Sequence, residues 1–372
     1  MTVRVGDVTF SDWVALPYKG LHTDTFIFYI NALNGLPPFK YRGLLQRLSA
    51  HLIGKRRNAS LWIQVDAPGE WYLMEVKRSF RWGLGLSVPY AITPAGRIPE
   101  WTEFSRPPIL WHSANHTPPV VEKKTPSVSP EELKCLQVLA RIQEGLDLEI
   151  ASLAGLDVEA SNVAVSSLLK KKLICHVTVT EVPTDRGVVP TQLTTPYLKL
   201  TRKGLSLAMR SWGAPAGVQF TDRKEPDPKH TQTTHRHISR LWPMWLRFAY
   251  PNADIWTGWS EAQLPGTSVL PDALAWGRIQ GFETLFWLEV GDEHKERQEI
   301  EKITRKRIME AIKICRETGV RLIYAQVSPD WVKKAVCWGI EKLPSDTAVI
   351  MSGWNKFGTL PIVEWGKITA AC

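Results

Sequence analysis

Two acidic residues at the ends of neighbouring apolar runs are the residues of this chain best placed to do chemistry. Asp272 follows Pro271 at the head of the run Ala273 to Trp276, and Glu289 closes the run Thr284 to Leu288. A hairpin turning between Gly277 and Gly281 brings the two carboxylates side by side. Close carboxylates repel, which raises one pKa unless a divalent cation neutralises them. Mg²⁺ or Mn²⁺ takes such hard oxygen ligands and keeps water positions open for phosphodiester chemistry. Asp272 and Glu289 are therefore the candidate metal ligands and the candidate catalytic pair, and Glu261, near the end of the preceding strand-like run, is a candidate third ligand. The plain alternatives are a turn aspartate after proline, a glutamate at a strand end, and an edge charge.

The elements needed to position this pair read α-β-β-β-α-β. His235 to Tyr250 is an amphipathic candidate helix interrupted by Pro243, and Ile255 to Leu264, Leu270 to Trp276 and Thr284 to Val290 read as three strands. Glu293 to Thr318 is a long, highly charged helix ended by Gly319. Arg321 to Val327 is a further strand, leading into Ser-Pro-Asp-Trp and another short helix. The ten tryptophans between Trp242 and Trp365 are expected in the core or at interfaces, where burial is the commoner fate, with base stacking as the alternative.

Upstream, residues 131–212 carry a second kind of signal. Ser129, Pro130 and Glu131-Glu132 make a cap, a first-turn proline and an acidic start for a helix with Leu133, Leu136, Val138, Leu139 and Ile142 at helical spacing, stopped by Gly145. A short helix from Leu148 to Ala154, a turn at Gly155 and a third helix from Glu159 to Lys172 follow. Two β-prone runs, Leu173 to Val182 and Gln192 to Leu200, flank a polar turn. This is the order of a winged helix-turn-helix. In it the third helix enters the major groove with Ser161, Asn162, Ser166 and Ser167, while Lys170, Lys171, Lys172 and wing residue Arg186 meet phosphates. Asn162 is the best base reader, because an amide pairs bidentately with adenine. The plain alternatives are solvated polar residues and lysines that complement a helix C-terminus.

The first block, residues 1–104, follows the same scheme less closely, as a winged-helix-like domain. Thr23 to Leu33 reads as a helix, Pro37-Pro38 opens another from Phe39 to Leu52, and Leu61 to Val65, Trp71 to Val76 and residues 90–97 read as an enlarged wing. Lys40, Arg42, Arg47, Lys55, Arg56 and Arg57, with Lys77, Arg78 and Arg81, supply a phosphate-facing surface or simply a solvated one. A β-rich partner-binding module is the other reading of this block.

Composition bounds the whole. The 372 residues exceed one ordinary core, and 44% apolar with 22% charged residues is the balance of a globular protein. The net charge of +9 fits a nucleic-acid partner, an anionic surface or plain solubility. Proline-rich residues 105–130 and the Gly/Pro-rich residues 213–234 read as linkers, leaving 235–372 as the final domain; His112 and His116 are linker histidines. Cys135, Cys175, Cys315, Cys337 and Cys372 are odd in number and scattered, unlike a disulfide framework or zinc ribbon. With no spanning segment and no apolar leader, the expected location is cytoplasmic.

The final block resembles the PD-(D/E)xK nuclease superfamily through Pro271-Asp272 and Glu289-Val290-Gly291. Residues from about 130 to 335 also resemble the replication-relaxation proteins of plasmids and integrative elements. The residues that carry this are Tyr197-Leu198-Lys199-Leu200-Thr201-Arg202-Lys203-Gly204, the helix opening Thr234-His235-Arg236-His237, Pro271-Asp272-Ala273 and Trp287-Leu288-Glu289-Val290. The resemblance implies α/β and α+β domains: winged helices followed by a restriction-endonuclease-like mixed sheet. It further implies a bacterial double-stranded DNA-binding protein of a mobile element, acting in replication, mobilisation or transposition, with other proteins of the element as partners. The alternatives are a metal-dependent endonuclease and a non-enzymatic regulator or scaffold. One departure stands out: Gly291 occupies the position of the motif lysine. Lys302, ahead of Lys295 and Lys306, is the expected substitute cation, with an ordinary i,i+4 surface partner as its plain alternative.

Overall fold

A computed structural model describes residues 15–17, 24–33, 35–55, 59–81, 86–105, 127–184, 187–211, 233–290, 297–327, 348–357 and 360–365. The chain is a mixed α/β protein whose described residues form eight α-helices and three sheets. Two compact units emerge, one from residues 1–140, 150–175 and 198–226, the other from 141–149, 176–197 and 227–372. Both expected linkers fall largely outside the described residues, at 106–126 and 212–232.

The first block corrects the sequence reading. Its elements are β1 (Ala15–Pro17), β2 (Asp24–Asn31), α1 (Pro38–Lys55), β3 (Ser60–Asp66), α2 (Glu70–Arg81) and β4 (Tyr90–Pro94), with sheet order β1-β2-β3-β4. Strands β2, β3 and β4 are parallel, with Ile27 opposite Trp62 and Ile63 opposite Ile92, so α1 and α2 are crossover helices, and they pack on each other. This β-α-β-α-β order is not that of a winged helix. The stretch read as a first helix is β2, which buries Phe26, Phe28 and Ile30 on one face and leaves Ile27 and Tyr29 half-buried on the other. The stretch Trp71 to Val76 read as a strand lies in α2, which buries Trp71, Tyr72, Glu75, Val76, Ser79 and Phe80 along one helical stripe.

The middle block keeps its expected order. It comprises α3 (Pro130–Ile142), β5 (Glu144–Gly145), α4 (Asp147–Ala154), α5 (Val158–Lys170), β6 (Ile174–Thr184), β7 (Gly187–Leu200) and α6 (Arg202–Ser211), and the three strands lie in the order β5-β7-β6. A reciprocal cap opens α3: the Glu132 N–H donates to Ser129 Oγ at 3.2 Å, and the Ser129 N–H donates to Glu132 Oε2 at 2.8 Å. Asp157 caps α5 by accepting from the Ala160 N–H at 2.7 Å. Helix α6 was not expected. Thr201 starts it, its Oγ1 accepting from the Gly204 N–H at 3.2 Å.

The final block contains α7 (Thr233–Ala249), β8 (Asp254–Ser260), β9 (Ala273–Ile279), β10 (Phe282–Val290), α8 (Arg297–Thr318), β11 (Arg321–Val327), β12 (Ala348–Phe357) and β13 (Leu360–Trp365). Its six strands run β13-β12-β11-β10-β9-β8, with β10, β11 and β12 parallel and the remaining pairs antiparallel. Strands β12 and β13 were not expected, and the short helix expected after Ser-Pro-Asp-Trp lies outside the described residues.

The hairpin between β9 and β10 turns on Gln280 and Gly281, at φ 50° and 83°, the two left-handed residues of a tight hairpin turn. Gly277 is inside β9 rather than in the turn. Helix α7 continues through Pro243 without a break. Pro243 is buried against β8, and a Cβ on Gly258 would stand 2.3 Å from its Cγ, so glycine there makes room for the ring.

Strand alternation sorts the sheet into two faces. Phe286, Leu288 and Val290 join Ala273, Ala275, Ile323, Ala325 and Val327 in an apolar core with Ile238, Trp242 and Leu246 of α7. Leu285, Trp287 and Glu289 point the other way, toward the face covered by α8, whose Ile300, Thr304, Ile308, Ala311 and Cys315 are buried.

Candidate acidic site and nucleic-acid interface

The hairpin places Asp272 and Glu289 side by side, as their positions at the ends of neighbouring strands predict. Asp272 N–H donates to Leu288 O at 3.2 Å, and the Val290 N–H donates to Asp272 Oδ2 at 2.7 Å, so this carboxylate continues the β9–β10 ladder beyond the last strand pair. Glu289 is fully buried and Asp272 nearly so. Glu289 Oε1 accepts from the Trp287 indole N–H at 2.7 Å, and Oε2 forms an ion pair with the Arg307 guanidinium of α8. Across the parallel ladder Glu289 faces Gln326, whose amide oxygen accepts from the buried Tyr324 hydroxyl at 3.1 Å.

Burial, reinforced by the charge of Asp272, pushes Glu289 well above the ordinary carboxylate range, against the opposing pull of Arg307. Burial likewise raises the Tyr324 phenol well above its usual value, with the nearby Glu289 charge adding to it. The raised value favours a proton held within the carboxylate pair, and Arg307 supplies a permanent positive charge beside it.

The expected third ligand and the expected substitute cation stand elsewhere. Glu261 lies beside the pair through its backbone, its N–H donating to Asp272 O at 2.9 Å, but its carboxylate accepts from Gln143 Nε2 at 3.0 Å. Lys302 and Lys306 are exposed on α8, because its inward stripe runs through residues 300, 304, 308 and 311. Lys295 and Gly291 lie outside the described residues. Arg307, which the sequence reading missed, is the basic group on the pair. Its signal is its register: it sits one residue before buried Ile308 and four before buried Ala311.

The residues present do not fit a resident Mg²⁺ or Mn²⁺. One Asp272 oxygen is held by a backbone N–H, and both Glu289 oxygens are engaged by Trp287 and Arg307. A doubly charged ion beside Arg307 would leave buried positive charge even with both carboxylates ionised. Among the described residues no group of three or more His, Cys, Asp or Glu side chains is disposed to hold a metal ion.

On α5 the structure divides the expected DNA-contacting residues. Asn162, Val163, Ser166 and Lys170 are exposed along one stripe, together with Glu159. Ser161, by contrast, is only 1% exposed and faces inward, so it is not a base reader. Ser167 is half-buried and bonds Glu132, and Lys171 Nζ lies 2.7 Å from both Glu132 oxygens and donates to Ser127 O at 2.8 Å. Lys172 is exposed in the following turn, and Arg186 lies outside the described residues. In the first block Lys40, Arg42 and Arg47 are half-buried on α1, with the Arg42 guanidinium 5.7 Å from the Phe39 ring centre. Lys55 ends α1 but its side chain, like Arg56 and Arg57, is outside the described set.

The second unit holds one more charged cluster. Arg240, 1% exposed, donates through Nε to Glu149 Oε2 at 3.0 Å and through Nη1 to Glu144 Oε1 at 3.2 Å, and its guanidinium lies 4.8 Å from the Tyr197 ring centre. His237 Nδ1 is 2.8 Å from Glu149 Oε1, and Arg236 adds a longer contact of 3.7 Å to Glu144. Burial alone would raise the Glu149 pKa, but the close approach of His237, the charge of Arg240 and the Leu146 N–H outweigh it and lower the value. The sequence reading named His237 only as part of a histidine-rich helix. No described helix is long and apolar enough to cross a membrane. Comparison with protein-family models and with curated proteins gives no match for this chain.

Proposed function

We propose that this chain is a double-stranded DNA-binding protein of a mobile genetic element, acting in replication, mobilisation or transposition. In this reading residues 131–212 are a winged helix-turn-helix and residues 235–372 a nuclease-like domain that serves as a further DNA clamp. Three helices followed by a β-hairpin, with strand order β5-β7-β6, support the first assignment. The mixed sheet between α7 and α8, with its acid pair on neighbouring strands, supports the second. The element's own proteins are the expected further partners, an inference that rests on the motif resemblance.

The observation that carries DNA binding is the exposed stripe of α5. It sets Asn162 and Ser166, which can hydrogen-bond base edges, in line with Lys170, which can meet a phosphate. Fluorescence anisotropy on a randomised duplex pool and on the sites selected from it tests this. Affinity should fall steeply with added salt, and Asn162→Ala should relax discrimination at one base pair by about 1–3 kcal/mol. Wild-type protein that ignores duplex DNA at low salt sinks the proposal.

The second reading, a metal-dependent endonuclease, has the adjacency of Asp272 and Glu289 in its favour and the engagement of both Glu289 oxygens by Trp287 and Arg307 against it. Nicking of supercoiled plasmid with Mg²⁺ or Mn²⁺, lost in Asp272→Ala with DNA affinity retained, would establish it. Wild-type protein that leaves the plasmid intact with either ion refutes it.

A further inference from the structure

We propose that Arg307 is the resident counter-cation of the Asp272–Glu289 pair, and that by pairing with Glu289 it excludes Mg²⁺ and Mn²⁺ from the site. The nuclease-like reading of this unit supplies only the comparison with a metal site; the inference does not depend on DNA binding.

Three observations carry it. First, the guanidinium is placed by the fold: α8 presents Arg307 from the turn that buries Thr304 and Ile308, while its neighbours Lys302, Arg305 and Lys306 are exposed. Second, the Arg307 side chain is 26% exposed whereas that of Glu289 is 0% exposed, so the guanidinium is the member of the ion pair that meets solvent. Third, the guanidinium already supplies a fixed positive charge against the acid pair. Arginine stays protonated at every accessible pH, so its compensation of the pair never lapses, unlike that of a lysine whose pKa falls on burial. A divalent cation could use the carboxylates only by displacing the guanidinium from Glu289. Gly291 at the motif position is consistent with this, since the cationic group comes from the helix.

The test uses the full chain and Mn²⁺ alone, with the free-ion electron paramagnetic resonance signal as readout. Wild type should bind Mn²⁺ no better than Glu289→Gln. Arg307→Met should gain one Mn²⁺ at least about tenfold more tightly than wild type, and Arg307→Met combined with Glu289→Gln should lose it. Melting temperature should rise with Mn²⁺ for Arg307→Met only, because a cation bound by the folded state stabilises it. The inference is overturned if wild type binds Mn²⁺ and Glu289→Gln does not, or if folded Arg307→Met gains none. Should Arg307→Met fail to fold, Arg307→Gln, uncharged and polar, takes its place. The wild-type comparison with Glu289→Gln decides exclusion without either variant.

Discussion

Lys171 bonds both carboxylate oxygens of Glu132, the residue that caps α3, and so ties the end of α5 to the start of α3. Two of the three lysines at the end of α5 remain exposed. Lys171→Ala should therefore lower stability by roughly 1 kcal/mol, since it removes a partly buried pair and loosens a cap. It should leave the salt dependence of DNA binding unchanged. Lys170→Ala should do the reverse, reducing the log–log salt slope by about 0.9 with little change in melting. Urea titration and anisotropy at several salt concentrations check both.

The Glu144–Glu149–Arg240 cluster should make the protein sensitive to acid. Glu149 has its folded pKa lowered and so contributes stability above the ordinary glutamate value of 4.5, which is lost as pH falls through the lower folded value. Glu149→Gln should cost about 3–5 kcal/mol near neutrality, because Arg240 stays buried beside a weaker acceptor, and should flatten the stability profile below pH 4.5. Denaturation curves across pH read this directly. Equal losses at every pH would contradict it.

Glu289 should behave with the opposite sign. A raised folded pKa means its contribution is greatest below 4.5 and declines as pH rises toward the folded value. Glu289→Gln can still accept from Trp287 and cannot ionise. Its stability relative to wild type should therefore improve as pH rises from acid to neutral, by at most about 1.4 kcal/mol per pH unit for the one proton concerned. A relative stability that worsens with rising pH would exclude a protonated pair.

Gly258→Ala should be destabilising although glycine is a poor strand residue. The added methyl would meet Pro243 Cγ at 2.3 Å and Leu274 O at 3.1 Å, and neither a mid-helix proline ring nor a ladder carbonyl yields easily. Overpacking of this kind costs about 1–3 kcal/mol, visible as a lower midpoint in chemical unfolding.

What was legible in the sequence follows from how local its physics is. The caps of α3 and the breaks around α4 and α5 are written in residues within a turn of each other, so Ser129, Glu132 and Gly155 mark them openly. The adjacency of Asp272 and Glu289 needs only a hairpin, and strand-length runs on either side of a turn supply it. Asp24–Asn31 reads as helix from sequence because it is apolar along much of its length, and a short apolar run does not by itself separate helix from strand. Arg307 was missed for a different reason. One arginine among seven Lys and Arg between 297 and 318 is marked only by its register, and its role is set by the side of α8 that meets Glu289 from a neighbouring strand.

The parallel arrangement of β2, β3 and β4 has a kinetic corollary. Thr25 pairs with Ser60 and Leu61 with Tyr90, so each of these ladders must await closure of a long intervening segment, and the antiparallel β1–β2 pair is the local contact from which the sheet can start. Refolding of this portion should lag behind the locally connected helices that follow it. During that lag the strand segments Phe26 to Ile30 and Leu61 to Val65 stay unpaired in the nascent polypeptide, making them the natural substrates for chaperones and the first places where aggregation begins.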